Sequence, residues 1–258
     1  MYRDNDRSSV MLVALRNTAR FRILLASLAL WLAQGSAASS GPPSELPPGK
    51  APDIVGEALD PETGRTLYFE HHYCSEDALS CSVFYLRPDE QVFATKQLDY
   101  EPSLKAPALV FRDYRNDREQ SIAQPGDDQV VDAGFDNFVR LQWSDLAGGE
   151  EVRFPFRMVG RDDPVKMRAN RESQCEPGRL CLQIRLDSWL LGSLVDPIQL
   201  TYDESSQRLL RFTGISNLKN DQGRSQKVDI RYRYSDDTSA ADAGNASAGP
   251  SGADDSNR

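Results

Sequence analysis

Residues 194–234 read LVDPIQLTYDESSQRLLRFTGISNLKNDQGRSQKVDIRYRY, and this stretch decides the predicted fold. Over 227–234, apolar or aromatic residues alternate with charged ones, which is the pattern of a strand with one buried and one solvated face. Segments 198–202 and 208–215 predict two more strands, separated by the turn-rich sequences DESSQ and NDQG. The stretch therefore predicts a three-stranded antiparallel meander.

The same alternation recurs upstream, between turn signals such as DPETG at 60–64. Further strands are predicted at 54–59, 65–74, 81–86, 91–98, 108–113, 152–158, 165–175 and 180–186. The charged run FRDYRNDREQS at 111–121 predicts a salt-bridged surface loop. DSWLLGSLV at 187–195 predicts a short apolar turn or helix capped by Asp187 or Ser188.

The sequence GFDNFVRLQWSDL at 134–146 has helical spacing. Its stripe comprises Phe135, Phe138, Val139, Gln142, Trp143 and Leu146. Gly148 and Gly149 follow the stripe and predict the end of the helix. A stripe of this kind usually packs against a core.

A wide sheet with one apolar face must twist and curl, and that face must be covered. The predicted helix supplies the cover, because its 13 residues span about 20 Å. The prediction is a mainly β fold, in which one amphipathic helix covers a curled, half-barrel-like antiparallel sheet of about ten or more strands. We expect it to form a single β-rich domain at 54–235.

Both ends of the chain differ from this domain in composition. The apolar run ILLASLALWLA at 23–33 follows three arginines and precedes small residues, which predicts a secretory signal peptide at 1–38. The alternative is a membrane anchor, although a spanning helix needs roughly 20 apolar residues. The true start is either the first methionine or Met11. Residues 39–53 predict a Pro/Gly/Ser-rich linker, and 236–258 predict a disordered acidic tail.

The four cysteines form two close pairs, Cys74 with Cys81 and Cys175 with Cys181. In an exported chain this spacing favours two local disulfides. Four cysteines allow three pairings, and the sequential one suits short loops between neighbouring strands. A zinc site and a redox pair are the alternatives, but neither pair has the CxxC spacing.

From residue 39 onward, 25 Lys and Arg stand against 37 Asp and Glu, which is a net charge of about −12. A surface with this balance repels nucleic acid and anionic lipid headgroups. We therefore expect no nucleic-acid partner. Because the apolar run at 23–33 belongs to the predicted signal peptide, we also expect no transmembrane span after its cleavage. The expected location is the periplasm, with the extracellular space as the alternative.

No motif in the chain predicts a reaction. His71 and His72 are adjacent on a predicted strand, so their side chains point to opposite faces and cannot share a ligand set. One of them with Glu70 or Asp77 would be the alternative metal site. GxSxG, HExxH, a phosphate-binding glycine loop and an EF-hand loop are all missing from the sequence. We expect no enzyme, cofactor or metal, with a hydrolase lacking a recognisable motif as the alternative.

Four segments carry a resemblance to known proteins: EALDPETGRTLYFEHH, ATKQLDYEPSLKAPALVFRD, FDNFVRLQWSDLAGGEEVRFPF and LVDPIQLTYDESSQRLLRFTGISNLKNDQG. They are similar to segments of uncharacterised exported bacterial (periplasmic) proteins and cover most of 56–235. The order of curled meander, central helix and terminal hairpin also resembles the lipoprotein-carrier half-barrels of the bacterial envelope. That resemblance implies a hydrophobic cavity between sheet and helix that holds acyl chains, and it brings no catalytic residues.

Two functions follow from these expectations. The first is an exported, non-enzymatic carrier or receptor for a hydrophobic, lipid-like ligand. Its predicted ligand-binding residues are Phe138, Trp143, Phe154, Phe156, Val228 and Ile230. The same side chains would otherwise fill a dry core.

The alternative function is a periplasmic protein–protein interaction or structural module with a fully packed core. In that case the outer sheet face, or an exposed sheet edge, would dock an envelope protein. The candidate residues are Arg153, Arg157, Arg231 and Arg233.

Overall fold

A computed structural model describes residue 41 and the ranges 46–188 and 195–236. The predicted signal peptide, part of the predicted linker and nearly all of the predicted acidic tail lie outside the described residues. So does the centre of the predicted apolar turn or helix at 187–195.

The described part of the chain contains thirteen strands and two short helices. The strands before the helices are β1 Ile54–Leu59, β2 Thr66–Cys74, β3 Ser80–Leu86, β4 Val92–Asp99, β5 Ala108–Asp113, β6 Arg118–Ile122 and β7 Val130–Val131. The helices are α1 Gly134–Leu141 and α2 Trp143–Gly148. The strands after them are β8 Val152–Arg157, β9 Val165–Arg171, β10 Arg179–Leu186, β11 Ile198–Asp203, β12 Leu209–Lys219 and β13 Ser225–Tyr234.

All thirteen strands belong to one sheet, in the order β6-β5-β4-β3-β2-β1-β13-β12-β11-β10-β9-β8-β7. Neighbours are antiparallel except β7 and β8, which pair in parallel. The chain meanders from β1 to one edge, crosses to the opposite edge at β7, and returns through β8 to β13. There β13 pairs with β1, so the first and last strands lie side by side in the middle of the sheet. The predicted mainly β, antiparallel fold is confirmed.

The helical segment differs from the single predicted helix, because it is interrupted at Gln142, whose backbone adopts φ −102° and ψ 16°. The Gln142 amide donates to the carbonyls of Phe138 at 3.0 Å and Val139 at 3.2 Å, so the turn tightens but the hydrogen bonding continues. Gly149, at φ 90°, ends α2 as predicted. In the part of the chain that the structure describes, neither helix has the length and apolar character needed to cross a bilayer.

The charged segment at 111–121 forms a hairpin rather than the predicted loop. β6 pairs with β5 so that Arg112 lies opposite Glu119 and Asp113 opposite Arg118. Arg112 Nε donates to the Glu119 carboxylate at 2.6 Å. The alternating charges therefore complement each other across two strands, and opposite-charge cross-strand pairs stabilise a sheet.

The buried side chains form two adjoining cores. The first core lies between β1–β6 and β13 and contains Tyr68, Val83, Tyr85, Leu109 and Val228, among others. The second lies between β8–β12 and the helices and contains Phe138, Val139, Leu146, Phe154, Leu180, Leu182 and Tyr202, among others. Phe212 packs against both, so the two cores meet at β12.

The sheet curls far enough for strands that are distant in the sheet order to meet inside it. Lys96 on β4 forms an ion pair with Asp132, which follows β7 at the far edge of the sheet. Asn217 on β12 donates to the other Asp132 oxygen at 2.7 Å. Burial alone would lower the pKa of the Lys96 ammonium, but the Asp132 carboxylate holds that pKa well above its usual value. This buried network, Lys96–Asp132–Asn217, joins both flanks of the curl.

Both disulfides have the predicted sequential pairing. Cys74–Cys81 joins directly opposite residues of β2 and β3, and Cys175–Cys181 ties the loop before β10 to that strand. Each closes a short loop, which stabilises a fold by roughly 2–3 kcal/mol on the chain-entropy argument.

Candidate functional site

The structure divides the six predicted ligand-binding residues between the two cores. Phe138, Trp143, Phe154 and Phe156 lie in or against the second core, whereas Val228 and Ile230 lie in the first. The Phe138 and Phe154 rings are 4.6 Å apart between centroids, which is close aromatic contact. Four of the six residues therefore come together, and they do so as packed side chains.

The space beside Trp143 is occupied by protein. The Trp143 ring meets the buried Tyr202 ring edge to face, with centroids 5.8 Å apart. Tyr202 is fully buried in the second core. The helices consequently cover this half of the sheet through direct contact.

An open recess lies on the other side of α1, against the loop that joins β4 to β5. Its volume is about 450 Å³. The lining residues are Ser103, Leu104, Lys105, Asp127, Phe138, Leu141 and Gln142. Of the predicted residues, Phe138 alone contributes to it, and the nearly buried ring forms an apolar floor.

The rim of the recess is apolar on two sides. Leu104 is 43% exposed and Leu141 is 56% exposed, which makes them two of the few large apolar side chains that face solvent in the described chain. Leaving two leucines in water beside a recess forgoes the free energy of burying them, about 25 cal/mol per Å² of apolar surface. A bound apolar group would recover part of it.

The remaining wall of the recess is polar. Ser103 Oγ donates to Asp127 Oδ1 at 2.7 Å, and Lys105 Nζ lies 3.8 Å from the same carboxylate oxygen. The side chain of Asp127 is 76% exposed, so water competes for it. The recess thus combines apolar surface with one weakly paired cation and exposed hydrogen-bonding groups, which suits a molecule with an apolar part and a polar head.

A close backbone contact holds the recess in place. A Cβ atom on Gly134, at the start of α1, would lie 2.3 Å from the Lys105 carbonyl oxygen and 2.6 Å from Pro107 Cδ. The Val131 amide donates to that carbonyl at 2.9 Å, and Asn137 Nδ2 donates to the Leu104 carbonyl at 3.1 Å. Glycine is therefore required where the 103–107 loop rests on α1.

Most of the recess was missed by the sequence patterns. Leu141 lies off the predicted helical stripe, and Leu104 lies between the predicted strands at 91–98 and 108–113, where no element is predicted. A signal does exist, because Leu104 is the one large apolar residue between Pro102 and Pro107.

A second recess, of about 490 Å³, lies at the Cys175–Cys181 disulfide. Charged side chains dominate its walls: Arg171, Glu172, Glu176, Arg179 and Glu204. Arg171 donates to the Ala147 carbonyl at 2.5 Å, so it anchors β9 to α2. The charged walls of this second recess do not suit an apolar ligand.

The two histidines lie on opposite faces of β2. His72 shares the inner face with Glu70, 3.4 Å away, and Tyr232 donates to that carboxylate at 3.2 Å. His71 lies on the outer face beside Phe69, and burial lowers its pKa. Within residues 46–188 and 195–236, no group of three or more His, Cys, Asp or Glu side chains is arranged to hold a metal ion.

Comparison with known proteins adds little. No protein-family model matches the chain, and no curated protein matches it. A solved structure of an outer membrane lipoprotein-sorting protein domain from Vibrio parahaemolyticus matches with 9% identity over 70% of this chain and 83% of that chain. The TM-score is 0.23, which does not establish a common fold. The half-barrel description therefore rests on the strand order and on the contacts across the curl.

Proposed function

We propose that this protein is a non-enzymatic binding protein of the bacterial envelope, and that it holds the apolar part of a lipid-like ligand in the recess beside α1. The observation that carries the proposal is the recess itself: about 450 Å³, with the Phe138 ring as its floor and the exposed Leu104 and Leu141 on its rim. This volume lies within the usual range for small-ligand sites.

The polar wall defines the kind of ligand. Lys105 and Asp127 are weakly paired and reachable from solvent, so a polar or anionic head can compete for the Lys105 ammonium. The apolar tail would lie along the two leucines and the phenylalanine. An amphiphile matches both parts, whereas a wholly polar ligand would leave the leucines exposed.

The proposed location rests on two observations. Both disulfides suit an oxidising compartment, and the apolar run at 23–33 has the features of a secretory signal. The absence of an enzymatic role is also part of the proposal. Among the described residues that line the recess, Ser103 is the one with a hydroxyl, and it donates to the solvated Asp127 carboxylate rather than to a histidine or lysine base.

Replacing Leu104 by serine is expected to weaken the binding of a fluorescent long-chain fatty acid about tenfold, because it removes apolar contact surface at the rim. Ile215→Ser is the matched control, since Ile215 is also 43% exposed but is not part of the recess lining. Fluorescence titration of both variants and of the wild type measures the effect. Equal affinities for all three proteins, or no binding by the wild type, would refute the proposed site.

One observation favours the second candidate function, a protein-interaction module. The side chains predicted to line a cavity, including Phe154, Val228 and Ile230, are buried among other core residues. A partner's apolar side chain could then occupy the same shallow recess. In periplasmic crosslinking, a partner captured through position 141, together with no fatty-acid binding, would favour this function over the first.

A further inference from the structure

The outer face of the sheet carries a row of three arginines on neighbouring strands. Arg168 on β9 lies directly opposite Arg153 on β8 on one side and opposite Arg185 on β10 on the other. The residues next to them in the chain, including Phe154 and Ile184, are buried on the inner face. The three arginine side chains therefore share the outer face.

Such a row costs free energy in the unbound protein. Neighbouring strands lie about 4.7–4.9 Å apart, and like charges directly opposite each other destabilise a sheet. A second opposed pair on the same outer face, Arg211 and Arg231, shares one acid, because both lie within 3.4 Å of the Asp229 carboxylate. The row of three differs from that pair, because it adds Arg185 beyond the two arginines that a single acid bridges.

Among the described residues, acidic groups pair directly with only one end of the row, and at the other end Glu172 is linked to Arg185 only through Gln183. Glu151 lies 2.6 Å from Arg153 and 3.5 Å from Arg168, and Asp187 lies 3.7 Å from Arg153. Among the described residues, Arg185 has a single side-chain hydrogen bond, from Nε to Gln183 at 2.6 Å, and no acidic partner. Positive charge is therefore left over between Arg168 and Arg185.

Arg168 is also incompletely hydrogen-bonded. Its Nε is buried, and no described group accepts a hydrogen bond from it. A buried donor without an acceptor is costly, and the cost is larger for a charged group. About a third of the side chain remains exposed, so the guanidinium can turn toward an incoming acceptor.

We propose that the outer face of β8–β10 binds a phosphate group between Arg168 and Arg185. Two guanidinium forks offer more donors than the two oxygens of a carboxylate can accept, whereas a phosphate presents three or more oxygens to them. The exposed Lys166, two residues before Arg168 on β9, adds a further positive charge. The phosphate can be free or part of a lipid headgroup. The site is independent of the recess beside α1, and it reverses locally the repulsion expected from the net charge of about −12 carried by residues 39–258.

The test compares the wild type with Arg168→Gln/Arg185→Gln and with Arg233→Gln. Arg233 lies on the same outer face, is 66% exposed and lies 3.8 Å from Glu57, so Arg233→Gln controls for the loss of one positive charge and is matched in charge to the single variant Arg185→Gln. Two probes are used at low ionic strength. One is inorganic phosphate, followed by ³¹P NMR, and the other is vesicles of phosphatidylglycerol, with phosphatidylcholine vesicles for comparison.

We expect the double variant to bind at least one probe about tenfold or more weakly, and Arg233→Gln to bind like the wild type. Binding of phosphate and vesicles together indicates a general phosphate site, and binding of vesicles alone indicates a headgroup site. Thermal melting checks folding, and the single variant Arg185→Gln replaces the double variant if that one unfolds. The proposal is overturned if the wild type binds neither probe, or if both variants lose affinity equally.

Discussion

Asp132→Ala is expected to lower the free energy of unfolding by about 3–5 kcal/mol, because it leaves the buried Lys96 ammonium without its counter-charge. Both side chains of this pair are nearly inaccessible to water, and Asn217 would lose its acceptor as well. Urea denaturation followed by circular dichroism measures the change. Replacing both partners, as in Lys96→Met/Asp132→Leu, should recover much of the loss, because no unpaired charge then remains inside the curl.

The matched control for this experiment is Asp196→Ala. Asp196 pairs with Lys227, but both side chains are more than half exposed, so the expected loss is at most about 1 kcal/mol. Equal losses in Asp132→Ala and Asp196→Ala would show that the Lys96–Asp132 pair does not close the curl.

Gly134→Ala is expected to destabilise the protein by about 1–3 kcal/mol, although alanine is the better helix former. The added methyl would lie 2.3 Å from the Lys105 carbonyl oxygen, which belongs to backbone and cannot move aside alone. The loop that forms one wall of the recess must therefore shift. We expect weaker fatty-acid binding together with the lost stability.

Gly148→Ala is the control, because its expected effect on stability is neutral or opposite to that of Gly134→Ala. Gly148 is the last residue of α2, before the left-handed Gly149, and a Cβ there meets no atom within 4 Å outside the helix backbone, so the substitution should be neutral or stabilise by up to about 1 kcal/mol. Thermal and urea unfolding of both variants give the comparison. A stabilising effect of Gly134→Ala would contradict the close contact between α1 and the 103–107 loop.

Local patterns predicted most of the sheet. Strands such as β1 and β10 alternate buried and partly exposed residues over most of their length, and turn residues separate the strands, so a period of two residues is sufficient to locate them. The cysteine spacing predicted both disulfides for the same reason, since each closes a short local loop.

Features that depend on long-range contacts could not be predicted from these patterns. β7 has only two residues and exists through its parallel pairing with β8. Lys96 looked like any residue of a strand, and its burial depends on Asp132, 36 positions away. The recess likewise depends on two leucines that no periodic pattern marks, one on α1 and one in the 103–107 loop. Tertiary packing, rather than local propensity, decides each of these.

Native mass spectrometry of protein purified from its own host tests the central claim, that the recess beside α1 holds a lipid-like ligand. We predict an adduct of lipid-like mass on the wild type, and a much smaller fraction of that adduct on Leu104→Ser/Leu141→Ser. A wild-type spectrum showing only the bare chain, also after incubation with host lipid extract, would contradict the claim.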